Sequence, residues 1–175
     1  TWHVPMSSKA QRTTNPIRSI VDKIMMQKRE PIPGKPMIPL SLGDPCSFGN
    51  LNAPDVMTEA VVKIIQEKKH NGYGASPGIN SAREAIAQKF STPNCKYKMD
   101  DIIIGSGCSG ALEIALCGLL DDGDNVLVPR PGFPLYQVLA ESHGAHVKQY
   151  DLLPEKNWQA DPAQAPPPPP NRRPR

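Results

Sequence analysis

Asp101-Ile102-Ile103-Ile104-Gly105-Ser106-Gly107-Cys108-Ser109-Gly110, running on into Ala111-Leu112-Glu113-Ile114-Ala115-Leu116-Cys117-Gly118-Leu119-Leu120, decides the fold class. The opening run is short, apolar and β-branched, which predicts a buried strand. The glycine- and serine-rich turn after it leads into a helix with Leu112, Ala115, Leu116 and Leu119 on one face. A small-residue loop that opens a helix presents backbone N–H groups without helical partners, and the helix dipole adds partial positive charge there. Glycine and serine let an anion approach the backbone closely. The stretch therefore predicts a site for a phosphorylated ligand.

Outward from it, the pattern continues as far as Leu152. Asp121-Asp122-Gly123-Asp124 is a turn, Asn125-Val126-Leu127-Val128-Pro129 a strand, and Arg130-Pro131-Gly132-Phe133-Pro134 an interruption. Leu135 to His143 returns to helix, and Ala145 to Leu152 reads as a third strand. Strands separated by helical crossovers imply an α/β fold, a βαβαβ core on a parallel sheet. Ligands of such sheets sit beyond the carboxyl ends of the strands, where Gly107 and Phe133 both follow strands. Taken alone, Phe133 is either a core residue or a face on which a flat ring stacks.

Upstream, residues 1–13 are polar and read as loose, and Asn15-Pro16 opens a helix with Asn as N-cap and Pro in the first turn. Pro31, Pro33, Gly34 and Pro36 form an extended connector, and Met37 to Leu42 reads as a short strand. Ser41-Leu42-Gly43-Asp44-Pro45 closes it with a turn. Residues 55–69 form a helix with Met57, Ala60, Val61 and Ile64 at helical spacing. Asn71-Gly72-Tyr73-Gly74-Ala75-Ser76-Pro77-Gly78 is a glycine-rich loop carrying a tyrosine able to hydrogen-bond a ligand or to anchor the loop. Ser81-Ala82-Arg83-Glu84 matches a capping box, ahead of a helix whose expected buried side is Ala82, Ala85, Ile86 and Phe90. Residues 91–100 are a loop.

Composition narrows the function classes. In 175 residues, aromatic content is only 5%, lean for a self-sufficient core. Of the 20 basic residues, Arg172, Arg173 and Arg175 sit in the last four positions; the 17 others match the 17 acidic ones, so the body offers no electrostatic case for nucleic acid. Cys46, Cys95, Cys108 and Cys117 lack paired spacing, which points to a reducing compartment and away from a disulfide framework or zinc site. The four histidines lack ligand spacing too. No apolar run approaches a membrane span and no signal-peptide pattern opens the sequence, so the expected location is the cytoplasm, with no membrane partner. From Asp161 the pattern breaks into a proline run, Pro166 to Pro170, and an arginine-rich end, expected to be a disordered polyproline-type tail.

Gly105-x-Gly107-x-x-Gly110 matches GxGxxG between a strand and a helix, the context of a dinucleotide-binding Rossmann domain. That fingerprint also wants an acid ending the second strand, where this sequence has Pro129-Arg130-Pro131. The ordered series Ser41 to Pro45, Asn71-Gly72-Tyr73, Gly105 to Ser109, Val128-Pro129-Arg130-Pro131-Gly132-Phe133-Pro134-Leu135-Tyr136 and Tyr150 to Trp158 instead resembles the class I pyridoxal-phosphate aminotransferases, and among them the tyrosine aminotransferases. The resemblance covers about Thr14 to Trp158. Each motif is weak alone; the series, above all Pro129 to Tyr136, is specific.

The resemblance implies a partial fold-type I transferase of the aspartate-aminotransferase kind, with pyridoxal 5'-phosphate as cofactor. It gives Ser106, Gly107, Cys108 and Ser109 the coenzyme phosphate and Phe133 the face stacked on the pyridine ring. Tyr73 becomes the side chain reaching the phosphate of the neighbouring subunit in a homodimer, and Gly43 a backbone facing the substrate. Its reaction moves an amino group from an amino acid, tyrosine, to a 2-oxo acid, 2-oxoglutarate. It sets residues 1–50 as an N-terminal arm with part of a small domain, 51–160 as the start of the coenzyme domain, and 161–175 as the tail. The family's Schiff-base lysine lies well downstream of the matched stretch, so no catalytic residue is assigned and the segment by itself is expected to be inactive and poorly soluble. A different class of function, a non-catalytic interaction protein pairing with a full-length subunit, stays open beside it.

Overall fold

The computed structural model describes residues 4–27, 32–35, 38, 43–46, 49, 51–161 and 164. The expected strand Met37–Leu42 apart from Ile38, residues 41–42 of the turn after it, and nearly all of the proline tail lie outside the described residues. The chain divides into two compact units that do not follow chain order: residues 1–20 with 106–175, and residues 21–105.

In the first unit, helix α5 (Gly107–Leu119) leads through a turn to strand β1 (Asn125–Arg130), helix α6 (Leu135–Ser142) and strand β2 (His146–Leu153). Strands β1 and β2 pair in parallel, from Asn125 opposite His146 to Arg130 opposite Asp151. A short strand β3 (Gln159–Ala160) adds antiparallel to the end of β2. The sheet is therefore α/β in kind but mixed, with a foreign direction at one edge. Its core is small: Val128 of β1, Val138 and Ala140 of α6, and Ala145 at the entry to β2. Ser142 is buried with them and spends its hydroxyl on the Leu139 carbonyl, 2.7 Å away.

The turn before β1 is held by its aspartates. The Asp121 N–H donates to the Asp124 carboxylate at 2.9 Å, and Gly123, at φ +84°, donates to the Gly144 carbonyl at 3.0 Å. That tie and the His146 N–H to the Asp124 carbonyl, 2.7 Å, start the two parallel strands level with one another.

Residues 1–13 are not loose throughout. Ser8–Arg12 forms a short helix, α1, whose Ala10 N–H is capped by the Ser7 hydroxyl at 3.2 Å. It docks by charge on α6 and the turn before β1. The Arg12 guanidinium donates to the Ser142 carbonyl at 3.4 Å and faces the Asp122 carboxylate at 3.6 Å. Lys9 reaches Glu113 of α5 at 4.0 Å. No apolar periodicity announces this helix, because cations and not a greasy stripe hold it.

The second unit holds helices α3 (Asp55–Glu67) and α4 (Asn80–Phe90). Helix α2 (Pro16–Met26) straddles the division, and the Asn15 side chain caps its Arg18 N–H at 3.3 Å, as the Asn-Pro pair predicts. The capping box at Ser81 does not form. Helix α4 starts two residues earlier, with Ile79 at the cap and no side-chain hydrogen bond. Its buried side also differs: Arg83 and Ala87 are buried, while Ala82, Ala85 and Phe90 are exposed.

Arg83 explains that rotation. At 6% exposure its Nε donates to the Ile102 carbonyl at 2.8 Å and a terminal nitrogen meets Asp100 at 3.5 Å. A buried guanidinium is tolerated only when so partnered. The same contact bears on the expected first strand, Asp101–Ile104, which is not a strand. Asp101 ends a 3-10 turn (Met99–Asp101), and Ile102–Ile104 is extended but joins no ladder among the described residues. Its backbone groups go elsewhere, the Ile102 carbonyl to Arg83 and the Ile104 N–H to the Pro77 carbonyl at 2.9 Å. A strand is defined by its partner, which a β-branched run cannot supply alone. The parallel core is therefore β1–α6–β2, one strand shorter than expected.

Much apolar surface is left uncovered. Met57, Val61 and Ile64 of α3 are exposed, as are Ile114 and Leu119 of α5, the latter at 71%. Among the described residues no helix is long and apolar enough to cross a membrane.

Candidate active site

Helix α5 begins earlier than its apolar periodicity indicates. Gly107, Cys108, Ser109 and Gly110 are its first turn, and Ser106 is its N-cap. Gly107 takes φ +67°, a conformation costly for any residue with a Cβ. The Gly110 N–H is the one that begins the helical ladder, donating to the Ser106 carbonyl at 3.3 Å. The N–H groups of Gly107, Cys108 and Ser109 therefore precede the ladder. Ser106 makes no side-chain cap bond, which leaves its hydroxyl available to a ligand. All four residues from Ser106 to Ser109 are exposed. The donor set is small, neutral, and aligned with a 13-residue helix dipole. It fits a phosphate.

Phe133 belongs to the same unit, three residues beyond the end of β1. Its ring is 54% exposed and touches Tyr136 edge to face, with centroids 5.9 Å apart and planes at 87°. It is thus not a core residue. Gly132 beside it is required by space, because a Cβ there would strike the Pro129 carbonyl.

Tyr73 and Gly43 belong to the other unit. Tyr73 stands fully out of its loop, with relative exposure 110%. Gly43 is exposed, and a Cβ at this position would meet nothing within 4 Å. Next to it the Asp44 carboxylate accepts from the Cys46 N–H at 2.8 Å, an Asx turn that the Asp-Pro pair announces.

Electrostatics concentrate at the carboxyl ends of the parallel strands. Arg130 Nε donates to Asp151 Oδ1 at 2.7 Å. That hydrogen bond lowers the Asp151 pKa below the ordinary carboxylate range and raises that of Arg130. Sequence reasoning missed this pair, although its signal was present: opposite charges near the carboxyl ends of two successive strands in parallel register. The four cysteines are free and exposed, and among the described residues no cluster of His, Cys, Asp or Glu is arranged to hold a metal ion.

Residues 35–165 match the family described as aminotransferase class I and II. The chain is 48% identical to human tyrosine aminotransferase over 91% of its own length and 35% of that protein's. It is 46% identical to the tyrosine aminotransferase of Dictyostelium discoideum, again over 91% of this chain and 38% of the relative. In three dimensions it resembles the crystal structure of tyrosine aminotransferase from Leishmania infantum, with TM-score 0.79 and 33% identity over 92% of this chain and 40% of that one. It also resembles the alanine aminotransferase of Pyrococcus furiosus, with TM-score 0.75 and 30% identity over 90% of this chain and 39% of that one. The chain spans about a third of the length of the curated relatives it matches. On the family match and the first turn of α5 together, this chain belongs to the class I and II aminotransferases, a pyridoxal-phosphate-dependent family.

Proposed function

We propose that residues 106–109 and Phe133 are the coenzyme-binding part of an aminotransferase that moves an amino group from an aromatic amino acid, tyrosine, to a 2-oxo acid, 2-oxoglutarate. The observation that carries this reading is the first turn of α5. Three backbone N–H groups precede its helical ladder, behind a glycine at φ +67°. The Gly107, Cys108 and Ser109 N–H groups bind the coenzyme phosphate, and the Ser106 and Ser109 hydroxyls add side-chain donors. Phe133 orients the ring by stacking and keeps water from one face. When bound, pyridoxal phosphate supplies the electron sink that loosens bonds at the α-carbon of the amino acid. Gly43 offers backbone, free of a Cβ, to the substrate.

Tyr73 extends the reading to a homodimer. A tyrosine with no cover from its own chain suits a hydroxyl whose partner is a phosphate held by a second subunit. The choice of tyrosine as substrate rests on likeness to tyrosine aminotransferases.

Protection against thermal unfolding tests the coenzyme. Pyridoxal phosphate at a hundred times its Kd stabilises by about 2.7 kcal/mol, and NAD by nothing measurable. Protection by NAD alone would replace this reading with a dinucleotide site. Protection by neither, with capture of a full-length aminotransferase subunit, would leave an interaction role.

A further inference from the structure

Arg130 ends β1, and Asp151 lies directly across the parallel ladder from it. The two side chains meet through one hydrogen bond, Nε to Oδ1, at 2.7 Å. Asp151 is fixed from behind as well, since its own N–H donates to the Gln164 side-chain oxygen at 2.9 Å. Immediately past Arg130 the chain leaves the sheet through Pro131, Gly132 and Phe133. Gly132 folds back so closely on Pro129 that no Cβ fits between them. The Phe133 ring at the tip is more than half exposed, and it meets the Tyr136 ring in a T-shaped contact. Packing therefore does little to hold the ring; its position follows from where the turn leaves the sheet.

We infer that the Arg130–Asp151 contact is a latch that fixes the departure of the 131–134 turn, making Asp151 a positioning residue for the ring-stacking face of Phe133. The inference rests on the reading of Phe133 as the stacking face. Both side chains are substantially exposed, at 61% and 45%, so the pair adds little to global stability. Its effect falls on geometry. What the latch requires of residue 151 is an acceptor at Oδ1, not a charge, and asparagine supplies one.

The test titrates the full chain with two probes, inorganic phosphate, which reads the α5 turn alone, and pyridoxal phosphate, which reads the turn and the ring together. Asp151→Ala is expected to weaken pyridoxal phosphate roughly 5-fold, the scale of one lost hydrogen bond, and to leave phosphate affinity and the unfolding midpoint unchanged. Asp151→Asn is expected to restore wild-type affinity. If Asp151→Ala does not fold, Arg130→Met removes the same contact from the other strand. Wild-type affinity in the alanine variant overturns the latch, and so does an asparagine variant as weak as alanine. Phe133→Leu separates the two levels. If it binds pyridoxal phosphate as wild type does, the stacking reading fails and the latch with it. If it binds weakly while Asp151→Ala does not, only the latch fails.

Discussion

Replacing Gly107 by alanine isolates the α5 turn from everything around it. A Cβ at this position meets nothing within 4 Å, so there is no clash to relieve. What remains is the backbone, at φ +67°, where an L-residue costs about 1–2 kcal/mol. Gly123 provides a matched control. It takes φ +84°, again with nothing within 4 Å, in the turn before β1 and outside the donor set. Both alanine variants should lose the same 1–2 kcal/mol, which in a chain of this size is a fall of about 2–8 °C in Tm. They should part on binding. To escape the strain at 107 the peptide rotates, turning the neighbouring N–H groups away from the anion. Losing one charge-assisted hydrogen bond of about 1.5–3 kcal/mol weakens phosphate and pyridoxal phosphate about 10- to 100-fold. Urea unfolding and equilibrium titration with each ligand read the two effects separately. Equal affinity in Gly107→Ala and wild type, at equal loss of stability in the two variants, would refute the assignment of these N–H groups to the phosphate. Equal loss of affinity in Gly123→Ala would refute the claim that the effect is local.

Four further outcomes follow from other contacts. Gly144→Ala meets both a positive φ of +79° and the Asp122 carboxylate, with the Arg12 guanidinium 3.4 Å away, so it should cost about 2 kcal/mol or more and free α1 to proteolysis. Arg12→Ala should release α1 equally for under about 1 kcal/mol, read by limited digestion. Among the described residues the buried Nε2 of His143 has no hydrogen-bond partner, so His143→Leu should raise stability by about 1 kcal/mol in urea unfolding. For Asp151 the folded-state pKa is depressed by the Arg130 hydrogen bond. Its contribution is therefore complete above the unfolded carboxylate pKa, near about 4, and disappears as pH falls through the lower folded value. Asp151→Asn should flatten that acid limb of the stability–pH curve and lower stability at neutral pH by the same amount, small for so exposed a pair.

The helices and the two parallel strands were legible because their signals are local. Asn15 and Pro16 name a helix start, and the apolar run of β1 and the partial alternation of β2 name strands. The open first turn of α5 was legible for the same reason: glycine and serine at the start of a helix act through their own backbone. Three features were not. The run Ile102–Ile104 has strand chemistry, but its hydrogen bonds go to Pro77 and Arg83, and sequence spacing does not reveal a missing neighbour. The sequence shows Arg83 on the polar side of α4, and burial follows only from the carbonyl that receives it. Helix α1 is held by ion pairs to residues more than a hundred positions away, which no window along the chain can register. Of the site, the donor turn was readable from motif, whereas the exposure of Phe133 and the ion pair behind its turn required the sheet register.

The Arg12 contact to the Ser142 carbonyl spans 130 residues of chain. During synthesis, at about 5–20 residues per second, α1 leaves the ribosome about 7–26 seconds before its receptor on α6 exists. Through that interval it has only local hydrogen bonds, the Ser7 cap among them, too little to keep a five-residue helix formed. The unit closing around α5 and the sheet is therefore finished by a segment made long before its receptor, and docked last. A nascent protein stalled before Ser142 should carry an α1 segment open to protease and to chaperones, and one extended well past it should not.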